Sequence, residues 1–162
     1  MAESLLRYPG GKTRAVDIIE PLIPKEETEL VSPFFGGGSI EFAFNERRNN
    51  ATVYGCDLFF PVATFWHYVI NNPEELADAV QKEFPCSKER FYELQQEDIH
   101  LTLHGSLLDI AKNFFVLNRC SFSGSTMSGG MSPGHPRFMQ SNIDKLRAFR
   151  VKNLSVEYGS VS

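Results

Sequence analysis

The run Ser32-Pro-Phe-Phe-Gly-Gly-Gly-Ser-Ile-Glu-Phe42 restricts the fold more than any other stretch of this chain. Three consecutive glycines follow a short apolar segment and precede a helical pattern. Glycine gives up the most backbone freedom on folding, so such a run at a junction needs a close approach that side chains would block. A second turn of the same kind, Arg7-Tyr-Pro-Gly-Gly-Lys-Thr-Arg14, lies upstream.

The pattern around the glycines gives the local order. Ala15, Ile18, Ile19 and Leu22 recur at helical spacing and predict a helix over Gly11–Leu22, stopped before Pro24. Thr28–Ser32 reads as a strand. Ser39 is placed to cap a helix with Ile40, Ala43 and Phe44 on its apolar face. Ala51–Asp57 reads as a second strand, which makes a βαβ unit with a helix in front. Beyond Asp57 the chain is mostly helical. Helices are expected over Phe59–Ile70, Pro73–Phe84, Lys88–Asp98, Ser106–Asn118 and Ser141–Arg150. Arg119–Met139, rich in Gly, Ser and Pro, is expected to be a long loop of the kind often used for function. Asn153–Tyr158 reads as a returning strand.

Composition narrows the function classes. With 42% hydrophobic residues in 162, one domain with a real core is expected. No apolar run is long enough to span a membrane, and no secretory signal pattern opens the chain. Cys56, Cys86 and Cys120 are far apart and form no zinc spacing. They are expected to be reduced, buried small hydrophobes in a cytoplasmic-type compartment. The net charge is −4, yet Ile110–Lys152 carries +6, with Lys112, Arg119, Arg137, Lys145, Arg147, Arg150 and Lys152 against Asp144 alone. A basic patch of this kind is compatible with nucleic acid or with a solvated face.

A glycine turn between strand and helix lets a ligand reach the backbone at a helix N-terminus. Asp57, at the end of the second strand, stands where an acid binds ribose hydroxyls in dinucleotide enzymes. The dinucleotide fingerprint itself fails, because Gly36 and Gly38 are followed by Glu41 in the third glycine's place. A carboxylate there would repel a pyrophosphate. S-adenosylmethionine, an adenosine with no phosphate, fits better. Gly10-Gly-Lys-Thr13 is not a phosphate-binding loop either, since Leu6 occupies the place of that motif's first glycine. Lys12 remains available for the carboxylate of a methionine tail.

Taken together, the Tyr8-Pro-Gly-Gly-Lys12 turn, the Pro33-Phe-Phe-Gly-Gly-Gly-Ser39 turn, Asp57 after the second strand, and Leu117-Asn-Arg119 resemble the Dam-type adenine-specific DNA methyltransferases. The resemblance covers most of the chain in the same order. It implies an α/β fold, a partial Rossmann-like S-adenosylmethionine-dependent methyltransferase core with an inserted helical DNA-recognition region. It divides the chain into a cofactor part over 1–58, a helical target-recognition region over 59–150, and the start of a returning core strand over 151–162. It further implies that Tyr8 and Lys12 bind S-adenosylmethionine, that Pro33, Phe34, Gly36 and Gly38 form the turn around it, and that Asp57 binds the ribose. Ser32 replaces the Asp or Glu usual before the Pro-Phe pair. It is expected to accept a hydrogen bond from the methionine amine without supplying a charge. Asn118, Arg119, Ser123 and Arg137 are expected at a surface facing double-stranded DNA, together with the basic residues through Lys152.

The resemblance also implies an Asp-Pro-Pro-Tyr motif that holds a flipped adenine by its exocyclic amine, with no metal. The 162 residues contain neither Asp-Pro nor Pro-Pro. The expectation is therefore the N-terminal part of such an enzyme, inactive alone and completed by a separate C-terminal half. The alternatives are a non-catalytic DNA-binding or assembly protein derived from one, and a small-molecule enzyme on a Rossmann-like core.

Overall fold

A computed structural model describes residues 4–126, 129–131 and 137–161, with the side chains of 98–103 and 123 outside the described atoms. Three strands, β1 (Glu29–Ser32), β2 (Thr52–Asp57) and β3 (Leu154–Tyr158), form a parallel sheet in the order β1-β2-β3. A crossover helix, α2 (Ser39–Arg47), joins β1 to β2, as the βαβ reading requires. Between β2 and β3 lie α3 (Phe60–Asn71), α4 (Pro73–Gln81), α5 (Lys88–His104), α6 (Leu107–Cys120) and α7 (Gln140–Ala148).

The sheet has one buried and one open face. Val53, Leu154 and Val156 point inward and are buried. Helix α3 packs over them and is itself covered by α6. Val62, Phe65, Trp66 and Val69 on α3 are fully buried, and the Phe65 ring stacks on Phe115 of α6. A helix apolar on nearly all sides has to sit inside the molecule, and α3 does. On the other face Val31 pairs in register with Tyr54, and both are half-exposed or more. Parallel strands are ordinarily covered on both faces.

The first expected helix is corrected. Only Val16–Ile19 is α-helical (α1), between single 3-10 turns at Thr13–Ala15 and Glu20–Leu22. Pro21 lacks the N–H that would continue the ladder. Val16 is the buried residue, while Ile18 and Leu22 point to solvent. Buried Glu20 then locks this segment to the end of α2 through Arg47 and Arg48. Ser39 is the first residue of α2 and not its cap; Gly38 takes the cap position, and the Ser39 hydroxyl bonds Thr13. Of the three cysteines only Cys120 is fully buried. The expected long loop is shorter, because α6 runs through Cys120 and a 3-10 turn follows at Phe122–Gly124.

Much of the +6 segment is spent inside the fold. Lys112 reaches Glu83 at 3.1 Å, Arg147 reaches Asp78 at 2.7 Å, and Arg150 reaches Glu74 at 3.2 Å. The basic residues there complement an acidic stretch, Glu74–Glu83, on and just after α4. Glu83 also takes Arg90 at 2.9 Å, so one carboxylate ties the end of α4 to α5 and α6. Hydrogen bonds from Arg90 hold the Glu83 carboxyl down at about 2, below its ordinary 4.5, with Lys112 adding to the effect. A depressed carboxylate adds stability above its unfolded value and loses it as pH falls toward its folded value. We expect Glu83→Gln to cost about 1 kcal/mol at neutral pH, given that Arg90 stays partly in water. The deficit should vanish between about pH 4.5 and 2. Urea unfolding of both proteins across that range checks it; a deficit unchanged at pH 2 would contradict the assignment.

Candidate functional site

The carboxyl ends of β1 and β2 hold the glycine turn, and a single acid organises it. Asp57 is buried, and its two oxygens accept from Gly36 N–H at 2.9 Å and Phe59 N–H at 2.9 Å. The turn after β1 is thus fastened to the loop that begins α3. On its other side the Gly36 carbonyl accepts from Trp66 Nε1 at 2.7 Å. That indole gives the buried turn a partner, as buried polar groups require.

What comes so close to the glycines is, within this chain, aromatic. A Cβ on Gly36 would stand 3.0 Å from the Tyr8 ring, and one on Gly38 would stand 2.5 Å from Phe42 and 2.7 Å from Phe35. Both glycines also have positive φ, +51° and +71°, which side chains disfavour. Tyr8 therefore lies on the turn. Burial first, and the Asp57 charge second, push its hydroxyl above the ordinary range, so it stays protonated.

Pro33 and Phe34 are exposed at the rim, with Phe34 79% exposed. Leu58 and Phe59 are exposed beyond Asp57. Lys12 is exposed, and its Nζ donates to Gly10 O at 3.1 Å across its own turn. Ser32 is buried, and its hydroxyl donates to Glu41 on α2. A recess of about 1060 Å³ runs along α2, lined by Thr13, Val16, Phe42, Lys145 and Phe149 among others. Tyr8, Gly36 and Asp57 are not among its walls.

The expected DNA residues divide. Asn118 is 1% exposed, and its amide grips Arg7 at both ends: Arg7 N–H donates to Oδ1 at 2.8 Å, and Nδ2 donates to Arg7 O at 2.7 Å. The expectation of a DNA contact at Asn118 is corrected, because its side chain is buried and holds the Tyr8 loop through Arg7. Arg119 is partly buried and donates from Nε to Arg137 O at 3.0 Å. Arg137 is exposed. Ser123 falls in the 3-10 turn, with its side chain outside the described atoms. Arg7, which the sequence reading passed over, donates to Ser121 O at 2.8 Å. Burial, then the nearby Arg137 charge, lower its pKa. Arg7, Arg119 and Arg137 thus gather at the C-terminal end of α6. Trp66, Arg7 and Glu41 could not be picked out beforehand, because their partners are distant in sequence and no spacing marks them.

The family model of the D12 class N6 adenine-specific DNA methyltransferases matches residues 8–133, from Tyr8 through the glycine turn and Asp57 to the segment after α6. The chain belongs to that family. The parallel sheet with its helices is accordingly a partial Rossmann-like methyltransferase core. The chain is also similar to the type II methyltransferase M.CviBI of Paramecium bursaria Chlorella virus NC1A, at 20% identity over 148 residues. That alignment takes in 88% of this chain and 53% of the relative, so the chain spans about half of the relative's length.

The packing of the D12 turn gives a direct test. Gly10 and Gly38 share a positive φ of +74° and +71°, but a Cβ at Gly10 meets nothing within 4 Å. Gly10→Ala should cost about 1 kcal/mol of stability, from backbone strain alone. Gly38→Ala adds a clash with two rings and should cost about 2–4 kcal/mol. Denaturant unfolding of the two variants measures the difference; equal losses would mean that the rings are not what requires glycine at 38.

Proposed function

We propose that this chain supplies the S-adenosylmethionine-binding and DNA-facing parts of an N6-adenine DNA methyltransferase, and that alone it transfers no methyl group. The observation that carries the reading is the assembly of Tyr8, the Gly36–Gly38 turn and Asp57 at the carboxyl ends of two parallel strands, where open α/β sheets take their ligands. Family membership supports the reaction class. In the proposed division, residues 1–58 hold the cofactor, 59–150 face the target, and 151–162 return to the sheet.

The residues fit the cofactor chemically. Each Asp57 oxygen accepts one backbone hydrogen bond, and a carboxylate oxygen has a second lone pair for a ribose hydroxyl. Tyr8 and Phe34 offer exposed aromatic surface beside the turn for an adenine ring. Lys12, exposed on the same loop as Tyr8, is a cation suited to a carboxylate. The bound cofactor supplies an electrophilic methyl on a sulfonium. The chain's own task is to hold that cofactor in one place and to bring a duplex to it. Arg7, Arg119 and Arg137 are the proposed phosphate contacts.

Two features support a part outside these residues, on the same polypeptide or another, for the chemistry. The 162 residues contain no Asp-Pro-Pro-Tyr to position the adenine amine, and positioning is a large part of the rate in such reactions. The sheet's second face, with Val31 and Tyr54, is uncovered, and β1 has no strand on its outer edge among the described residues. A polypeptide bringing the motif on further strands and helices would cover both.

Calorimetry tests the cofactor site. Asp57→Asn preserves the side chain's shape but removes its charge. It should weaken S-adenosylmethionine binding by about 1.5–3 kcal/mol. Unchanged affinity would sink the ribose assignment. A second experiment separates binding from chemistry. The chain should bind duplex DNA with an affinity that falls steeply with salt, with a slope near −0.9 per phosphate contacted. The same DNA, incubated with the chain and methyl-labelled S-adenosylmethionine, should take up no label. Robust incorporation by the chain alone would show that another residue positions the amine.

A further inference from the structure

Glu41 is an acid that the proposed function has not used. It is the third residue of α2 and is 9% exposed. Its carboxylate accepts from the Ser32 hydroxyl. No lysine or arginine among the described residues lies within ion-pair distance of it. Among the described residues, the other well-buried carboxylates have either a cation or a pair of backbone donors. Glu20 has Arg47 and Arg48, Glu83 has Arg90 and Lys112, and Asp57 fastens two loops. A carboxylate taken out of water without a cation is costly, and burial pushes Glu41 above the usual carboxylate range.

Its position gives the missing cation an identity. Ser32 ends β1 and pairs in register with Gly55, two residues before Asp57. Residues 32, 55 and 57 point to the same face of the sheet. Strand spacing and rise put the Cα atoms of Ser32 and Asp57 about 8 Å apart at the carboxyl edge. A ligand whose ribose meets Asp57 carries its amino-acid tail several bonds away, on a chain long enough to cross that gap. The tail ends in an ammonium and a carboxylate. Lys12 suits the second; nothing yet described suits the first.

We propose that Glu41, held in place by Ser32, is the counter-ion of the cofactor's α-ammonium. The sequence reading gave that contact to the Ser32 hydroxyl. In the structure that hydroxyl donates to Glu41, so the negative charge reaches the end of β1 from the neighbouring helix. Ser32 is the positioning residue, and Glu41 is the ligand-binding one. This rests on the cofactor reading above, and the test keeps the two apart.

The probes are S-adenosylhomocysteine, which carries the ammonium but no sulfonium, and 5′-methylthioadenosine, which lacks the whole tail. Calorimetry on the wild-type chain should show tighter binding of S-adenosylhomocysteine. Glu41→Gln should weaken that ligand by about tenfold or more, the loss of one charge-assisted contact, and change 5′-methylthioadenosine by less than about twofold. Placing an acid back on the strand, Ser32→Asp with Glu41→Gln, should restore much of the preference. It also guards against a single variant that fails to fold. An equal loss for both probes, no loss for either, or no recovery in the double variant would overturn the inference and leave the cofactor reading standing. If the wild-type chain binds neither probe, the cofactor reading falls, and this assignment falls with it.

Discussion

The carboxylate of Asp57 is the interaction on which the rest of this site depends. It closes β2 and takes an N–H from each of the two loops that leave the strand ends. Without it the glycine turn would have no fixed relation to the start of α3. With it, the Gly36 carbonyl is presented to Trp66 and its other side to Tyr8. The three aromatic rings around the turn then determine why glycine is needed there. Strand order, loop position and side-chain packing thus converge on one buried charge. Hydrogen bonds to a charged acceptor are about twice as strong as neutral ones, which suits a group with this task.

A second link joins the helical region to the Tyr8 loop. Asn118, on a helix more than a hundred positions from Arg7, satisfies both backbone groups of that residue. The Tyr8 loop is therefore placed by α6 as well as by the turn it covers. The same helix end carries Arg119 and lies beside Arg137. A duplex held by these arginines would bear on the element that positions Tyr8. In the proposed arrangement, target and cofactor surfaces share a support.

The βαβ unit was legible because its signals are local. A short strand, a glycine turn, a periodic helix and a second strand follow one another within thirty positions, and the register confirms them. Helices α3 through α7 were legible from their apolar periodicity, with ends moved by a few residues. The N-terminal helix was misread because Ala15, Ile18, Ile19 and Leu22 have the right spacing while Pro21 breaks the ladder. The charge count misled in a similar way. It located the cations of residues 110–152 correctly but could not see that α4 brings Asp78 and Glu74 to them. Asn118 and Glu41 were the hardest, since one looks like a surface amide and the other like a first-turn helix acid. Their roles come from partners supplied by the tertiary fold.

The central claim is that the methyl-donor pocket is the space between Tyr8, the glycine turn and Asp57, and not the recess along α2. A nitrogen-15 NMR titration of the chain with S-adenosylhomocysteine tests it most directly. The account predicts that the amide signals of Gly36, Gly38 and Phe59 move with ligand, while those of α4 stay in place. Movement confined to the walls of the recess, at Val16, Lys145 and Phe149, with the Gly36 and Gly38 amides unchanged, would contradict it.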